Sequence, residues 1–256
     1  PVSGDIRVWD LEAGTSALND SHGNSLWSVG VSPDGHWLVS GDEGGAVRVG
    51  PINGDEPHLL LGHVGQVRDV EVSPDGRWNA STGIHARVRL WRLPEATLIS
   101  RFRGHANNLY SIALSPDGTL LATGSYDQQI KLWNTETGEE LATLEGHNDA
   151  VYALAFGRHA QLLASASGDR TVKLWDVGSR QRLETFGQSA KELYALAFSP
   201  DGQRIAAGGV DNRIRIWQIS PSAAEGTNVL LEPRFAHEGA LLQLAFSPDG
   251  RWLASS

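Results

Sequence analysis

Apolar and polar residues alternate in short runs along the whole chain, and turn-forming residues separate the runs. The stretch LYSIALSPDGTLLATGSYDQQIKLWN, residues 109–134, shows the pattern. A period of two is the signature of a strand with one buried face. Ser-Pro-Asp-Gly suits a type I turn, because Pro presets φ at its second position and Gly closes it. No stretch carries a convincing apolar period of 3.6, so the pattern predicts an all-β chain.

The pattern is also periodic on a longer scale. An SPDG-like turn has its second residue at Pro33, Pro74, Pro116, Arg158, Pro200 and Pro248, in steps of 41, 42, 42, 42 and 48. A strand-ending Trp falls at Trp9, Trp91, Trp133, Trp175 and Trp217, with Gly50 in the slot between the first two. The long step holds SPSAAEGTNVLLEP, Ser220–Pro233, which reads as a surface insertion. No shift of composition marks a second domain, so residues 1–256 read as a single one. A period near 42 with about four strands is one small sheet per repeat. Such a sheet cannot bury both faces alone, whereas a ring of sheets packed face to face can. The expectation is a β-propeller of six four-stranded blades.

The stretch GHNDAVYALAF…LLASASGDRTVKLWD resembles a WD-repeat (WD40) protein, with its Gly-His and Trp-Asp landmarks at the family's separation. The resemblance covers the whole chain in six registered repeats, and the frequent SPDG is most similar to bacterial members. It implies a hydrogen-bonded tetrad in each repeat: a His after Gly, a Ser or Thr, an Asp at a tight turn, and the Trp. His105, Thr123, Asp127 and Trp133 make one complete set, and His147, Ser165, Asp169 and Trp175 the other. Elsewhere the set is broken. His63, Ser81 and Trp91 stand with His85 in place of the Asp. His22 and Ser40 stand with Gly44 and Gly50. Asp211 and Trp217 stand with Ser189 and Ala207. The repeats around Gly50 and Ala207 are therefore expected to be softer.

The C-terminal FSPDGRWLASS reads as the first two strands of a repeat, and the N-terminal PVSGDIRVWD continues from there. The expectation is a last blade closed by strands from both termini, which removes exposed strand edges and leaves a monomer. The alternative is a fragment of a seven-bladed or longer propeller, since family members usually have seven blades. That reading predicts self-association.

Composition narrows the function. There is no Cys, which excludes disulfides, thiolate metal sites and a Cys nucleophile. The net charge is −9 with the signs interspersed, which argues against nucleic acid and anionic membranes as partners. No window approaches 18 consecutive apolar residues and no leader peptide is visible, so a cytoplasmic protein is expected, and the resemblance of its SPDG repeats implies a bacterial one. Of nine His, five (His22, His63, His105, His147, His237) share one repeat slot, which the tetrad explains. His36, His58, His85 and His159 have no ligand spacing. No pair of acids stands out as an acid–base couple, GDEGG at 41–45 lacks the Lys and helix of a phosphate loop, and GNS at 23–25 is no nucleophile elbow. No catalytic residue, no metal site and no cofactor are expected. Two residues before each Trp slot lies a cation: Arg7, Arg48, Arg89, Lys131, Lys173 and Arg215. A strand-periodic charge that pairs across strands or reaches solvent explains it.

The informative residues vary where the repeat is regular. Six residues before each SPDG Pro slot lie Trp27, Arg68, Tyr110, Tyr152, Tyr194 and Leu242; Tyr126 precedes the tetrad Asp127. The resemblance implies that these slots open on the narrow top face around the central channel, where family members commonly grip peptides and proteins. Tyr and Trp combine apolar area with a hydrogen-bonding handle, and Arg68 suits a carboxylate. The expected function is a non-enzymatic scaffold for a protein or peptide ligand, as a sensing or docking module of a larger protein. The alternatives are an architectural unit that mainly self-assembles and a propeller hydrolase or lyase, for which no clustered acids or ligands are visible.

Overall fold

The computed structural model describes residues 4–10, 12–52, 58–60, 62–93, 95, 97–187, 189–219, 229–230 and 234–256. All regular elements among them are β-strands. The chain forms two compact units, residues 1–112 and 113–256.

In the first unit, Asp5–Asp10 pairs with Thr15–Ser21. A four-stranded antiparallel sheet follows, in the order Leu26–Val31, Trp37–Asp42, Val47–Pro51, His58–Leu60. A second follows it, in the order Val67–Val72, Trp78–Gly83, Arg87–Arg92, Thr97–Arg103. Strand Leu109–Leu114 begins in this unit and ends in the next. The second unit continues with Leu120–Ser125, Ile130–Asn134 and Glu140–Leu144. Its next sheet runs Val151–Phe156, Leu162–Ser167, Val172–Asp176, Gln181–Phe186. Then come Leu193–Phe198, Arg204–Gly209 and Arg213–Gln218. Leu244–Phe246 pairs with Leu253–Ser255. Of the insertion expected at 220–233 only residues 229 and 230 are described, and they pair with strand Arg213–Gln218.

Period two holds for the outer strands, which have one wet face. Gln181–Phe186 buries Glu184 and Phe186 and exposes Gln181 and Arg182. The second strand of the same sheet, LLASAS at Leu162–Ser167, is buried at all six positions. A strand covered on both faces reads as a continuous apolar run, and its Ala and Ser residues let the neighbouring sheet approach closely. Within each unit the cores form between consecutive sheets. Trp175 packs with Ile130, Leu132, Leu144, Val151 and Leu154. Phe186 packs on Trp217 with ring centroids 5.0 Å apart. In the first unit Trp91 packs with Val39, Val47, Val49, Val67 and Val70. Trp9 shares the slot of these Trp residues but is 62% exposed.

The SPDG turns are built alike. The Ser115 hydroxyl donates to Asp117 Oδ1 and Oγ accepts from the Leu120 N–H at 2.9 Å. Donation from Ser hydroxyls, first of all, holds Asp117, Asp201 and Asp249 below the ordinary carboxylate range. Gly118 ends its turn in the left-handed region at φ 72°. In the repeat that replaces SPDG, Ala160 occupies this place at φ 57° and donates its N–H to Gly157 O at 3.0 Å. A Cβ in that region costs about 1–2 kcal/mol. Ala160→Gly, after the loss of unfolded-state restriction, should stabilise the chain by about 0.5–1 kcal/mol. A urea titration that shows no rise in midpoint would mean that this turn carries no strain.

Candidate functional site

Buried polar chains set the frame. The Trp175 indole N–H donates to Ser165 Oγ at 2.9 Å, Ser165 lies 2.7 Å from His147 Nε2, and His147 Nδ1 lies 2.8 Å from Asp169 Oδ2. Burial lowers the His147 pKa, against the pull of Asp169, so the ring is neutral near pH 7. Neutral His147 accepts the Ser165 proton at Nε2 and donates from Nδ1. Burial alone would raise Asp169, but donation from His147, Thr171 and the Asn148 N–H outweighs it and holds the carboxyl well below its usual range. Trp133 donates to Thr123 Oγ1 at 2.9 Å, and His105 is buried. His237 lies 2.7 Å from Ser255 Oγ.

The repeat of His22 departs from the expectation of a missing acid. His22 Nε2 lies 2.7 Å from Ser40 Oγ, and Nδ1 lies 2.9 Å from Oδ2 of Asp42. Asp42 ends the strand two residues after Ser40, and its Oδ1 accepts the Ala46 N–H at 2.8 Å. The turn therefore supplies the carboxylate although Gly44 stands in the expected place. In the repeat of Ser189, Arg215 grips Asp211 through both guanidinium nitrogens at 3.1 and 2.6 Å, where other repeats use a His.

The row of cations is more buried than a pattern of solvated charges suggests. Arg89, Lys131, Lys173 and Arg215 are each at most 7% exposed. Lys131 reaches Glu140 at 2.7 Å, and Lys173 reaches Thr185 Oγ1 at 3.2 Å, both across to the outer strand. Arg7 is exposed and Arg48 half-buried. Burial selects for a partner, since an unpaired charge in the interior is costly.

The variable slots coincide with backbone irregularities that no sequence signal marks. The ladder skips Trp27 between Leu26 and Ser28, and Arg68 between Val67 and Asp69. In the second unit it skips Tyr152 between Val151 and Ala153, and Tyr194 between Leu193 and Ala195. Each of these residues is the extra one of a β-bulge, which re-aims its side chain. In the first unit the guanidinium of Arg68 lies 4.2 Å from the Trp27 ring and 5.5 Å from the Tyr110 ring, within the range of cation–π attraction. Trp27 remains 44% exposed. In the second unit Tyr152 and Tyr194 meet edge to face at 4.8 Å. Tyr126 and Leu242 are 51% and 61% exposed.

Asp69 anchors the first of these groups and was not singled out by the sequence. Its Oδ1 accepts the Ser28 hydroxyl at 2.9 Å and the Val70 N–H at 2.9 Å, and its Oδ2 accepts the Ile112 N–H at 3.0 Å. The three strands that carry Trp27, Arg68 and Tyr110 are thereby tied together beside the bulges. The signal was present: Asp69 is the one acid after the slot residue, where the other repeats place Ser28, Ser111, Ala153, Ala195 and Gln243. Burial pushes the Asp69 carboxyl up to about 6 despite its three donors.

Among the described residues no group of three or more His, Asp or Glu could hold a metal ion, and no helix is long and apolar enough to cross a membrane. A family profile described as IFT122 first beta-propeller matches residues 66–256, and one described as WD domain, G-beta repeat matches residues 16–49. No curated protein matches the chain. Among solved structures, a chain of the "Crystal Structure of Mitotic Checkpoint Complex" is similar over 99% of this chain and 82% of that one, with a TM-score of 0.90 and 24% identity. An identity this low shows a shared β-propeller fold and carries no partner with it.

Proposed function

The chain belongs to the IFT122 first beta-propeller family, with a WD repeat ahead of the matched region, and on that premise we propose that it is a non-enzymatic scaffold for protein or peptide ligands. The binding platform is the group Trp27, Arg68 and Tyr110. One observation carries the reading: Trp27 and Arg68 both sit on β-bulges, and the Arg68 guanidinium stacks beside two aromatic rings. A bulge in a recurring slot breaks the ladder there, and a core packing role does not require it. Trp, Tyr and Arg are also the residues most enriched among binding hot spots. The buried Arg68 Nε has no hydrogen-bond partner among the described residues. Two rings lie beside the guanidinium, and its terminal nitrogens remain for the charge-assisted grip of a ligand carboxylate. The ligand is therefore an acidic peptide segment with an apolar neighbour to lie on Trp27.

The test is selection of binders from a displayed peptide library, followed by titration of the purified peptides. Arg68→Ala and Trp27→Ala should each weaken binding at least about tenfold, or 1.4 kcal/mol. Amidation of the peptide's acidic group should mimic Arg68→Ala. If both substitutions lower thermal stability and leave peptide affinity intact, the slot residues are packing wedges and the reading fails.

A further inference from the structure

The repeat that lacks its tetrad acid has kept the donors around the place where the acid belongs. His63 Nε2 lies 2.8 Å from Ser81 Oγ, and Trp91 donates to the same oxygen at 2.9 Å. This reproduces the arrangement at His147, Ser165 and Trp175. In that repeat the other ring nitrogen donates to Asp169. Here the corresponding residue is His85, held at φ 90°, and a half-enclosed cavity of about 220 Å³ opens instead. Gly62, His63, Val64, Ile84, His85, Arg87 and Arg89 line it, and among the described residues no carboxylate does.

Arg89 is the group that bears most directly on this cavity. It is 4% exposed, and its guanidinium donates to Gly62 O. Its buried Nε has no hydrogen-bond partner among the described residues. The equivalent Arg215 forms a two-point pair with Asp211, and the equivalent Lys131 pairs with Glu140. A Cβ at position 62 would lie 3.0 Å from the Arg89 Cζ, so the glycine makes room for the cation. Burial, with Arg89 and Arg87 adding to it, depresses His63 to about 4. Its neighbours therefore keep the ring uncharged near neutral pH, and with Nε2 turned to the Ser81 hydroxyl its Nδ1 proton faces the vacant acid position.

We propose that this cavity binds a small oxyanion of the phosphate or sulfate class, which takes the place of the tetrad carboxylate. The chain itself supplies the precedent, because it places a carboxylate oxygen against the tetrad His in the repeats of His22 and His147. Two guanidinium groups match a dianion better than a single carboxylate. The volume is below the roughly 300 Å³ at which pockets begin to hold drug-sized ligands. The ligand is thus a single charged group rather than a nucleotide or a cofactor.

The test uses the full chain and inorganic phosphate, sulfate, acetate and chloride at constant ionic strength. Phosphate and sulfate should raise the melting temperature by about 3 °C or more at saturating concentration, while acetate and chloride do not. Arg87→Gln should weaken the apparent phosphate affinity at least fivefold. His85→Asp rebuilds the internal carboxylate and is expected to fold; it should abolish the phosphate response and raise the melting temperature without added anion. Phosphate should also shift the His63 ring resonances of the wild-type chain. Absence of any phosphate effect, an equal effect of acetate, or a full phosphate response in both variants would overturn the proposal.

Discussion

Trp175→Ala is expected to lower the unfolding free energy by about 3–5 kcal/mol, the usual range for removing a large buried aromatic. Two losses add. The indole is 2% exposed and sits in the core with Ile130, Leu132, Leu144, Val151, Leu154 and Leu163. Its N–H also closes the hydrogen-bonded chain through Ser165 and His147 to Asp169. Trp175→Phe separates them, because it keeps most of the ring and deletes the donor; about 1 kcal/mol is expected. Trp9→Ala is the control. Trp9 has the same place in the repeat but is 62% exposed, so its removal should change stability by no more than about 0.5 kcal/mol. Urea denaturation of the three variants measures all of this. Equal losses at positions 9 and 175 would show that the repeat position, and not burial, sets the energy.

Asp69→Asn should cost about 2–4 kcal/mol in acid and distinctly less near pH 7. The amide keeps the shape but presents an NH2 group to one of the three donors from Ser28, Val70 and Ile112, and each donor left unmet costs about 1–3 kcal/mol. The pH dependence follows from linkage. The folded-state value of Asp69 lies at about 6, above the ordinary 3.8. Between those values the folded chain holds a proton that the unfolded chain has released. The contribution of Asp69 is therefore complete below about pH 4 and is lost as pH rises through about 6. His63 has the opposite sign, since its folded-state value is depressed to about 4 from 6.5. Its contribution is present above about pH 6.5 and is lost as pH falls through about 4. The two slopes oppose each other in the wild-type chain. In Asp69→Asn the opposing slope is gone, while that of His63 remains together with that of His147, which burial also lowers, so stability should climb more steeply between about pH 4 and 6. Urea midpoints for both proteins at three pH values in that window decide it. Parallel curves would mean that Asp69 is ionised throughout the window.

Asp69 also connects stability with binding, because it fixes the strands that present Trp27, Arg68 and Tyr110. A variant that folds yet loses the tie should bind a selected peptide more weakly even with all three platform side chains in place. The same variant should leave the phosphate response at His63 and Arg89 unchanged, which keeps the two readings separable.

By itself the sequence determined the strands, their turns and their recurrence. These follow from local rules: alternation for a half-buried strand, Ser-Pro-Asp-Gly for a turn, and a fixed step that brings each His to a Ser or Thr 18 residues on, as in His22 with Ser40 and His237 with Ser255. It also marked the variable slots, because a residue that departs from a regular repeat is visible without any coordinates. Only the tertiary structure decided what those residues face. Asp42 supplies a carboxylate from two residues before the expected position, since the turn geometry rather than the spacing aims it at His22. Arg68 meets Trp27 and Tyr110 across strands about forty residues apart in sequence. The bulges under these side chains have no glycine or proline to announce them. Arg89 and Arg215 share one repeat position, yet one has a carboxylate and the other a cavity. The reason is physical. Backbone conformation answers mainly to neighbours in sequence, whereas burial, pairing and ionisation answer to whatever the adjacent strands bring alongside.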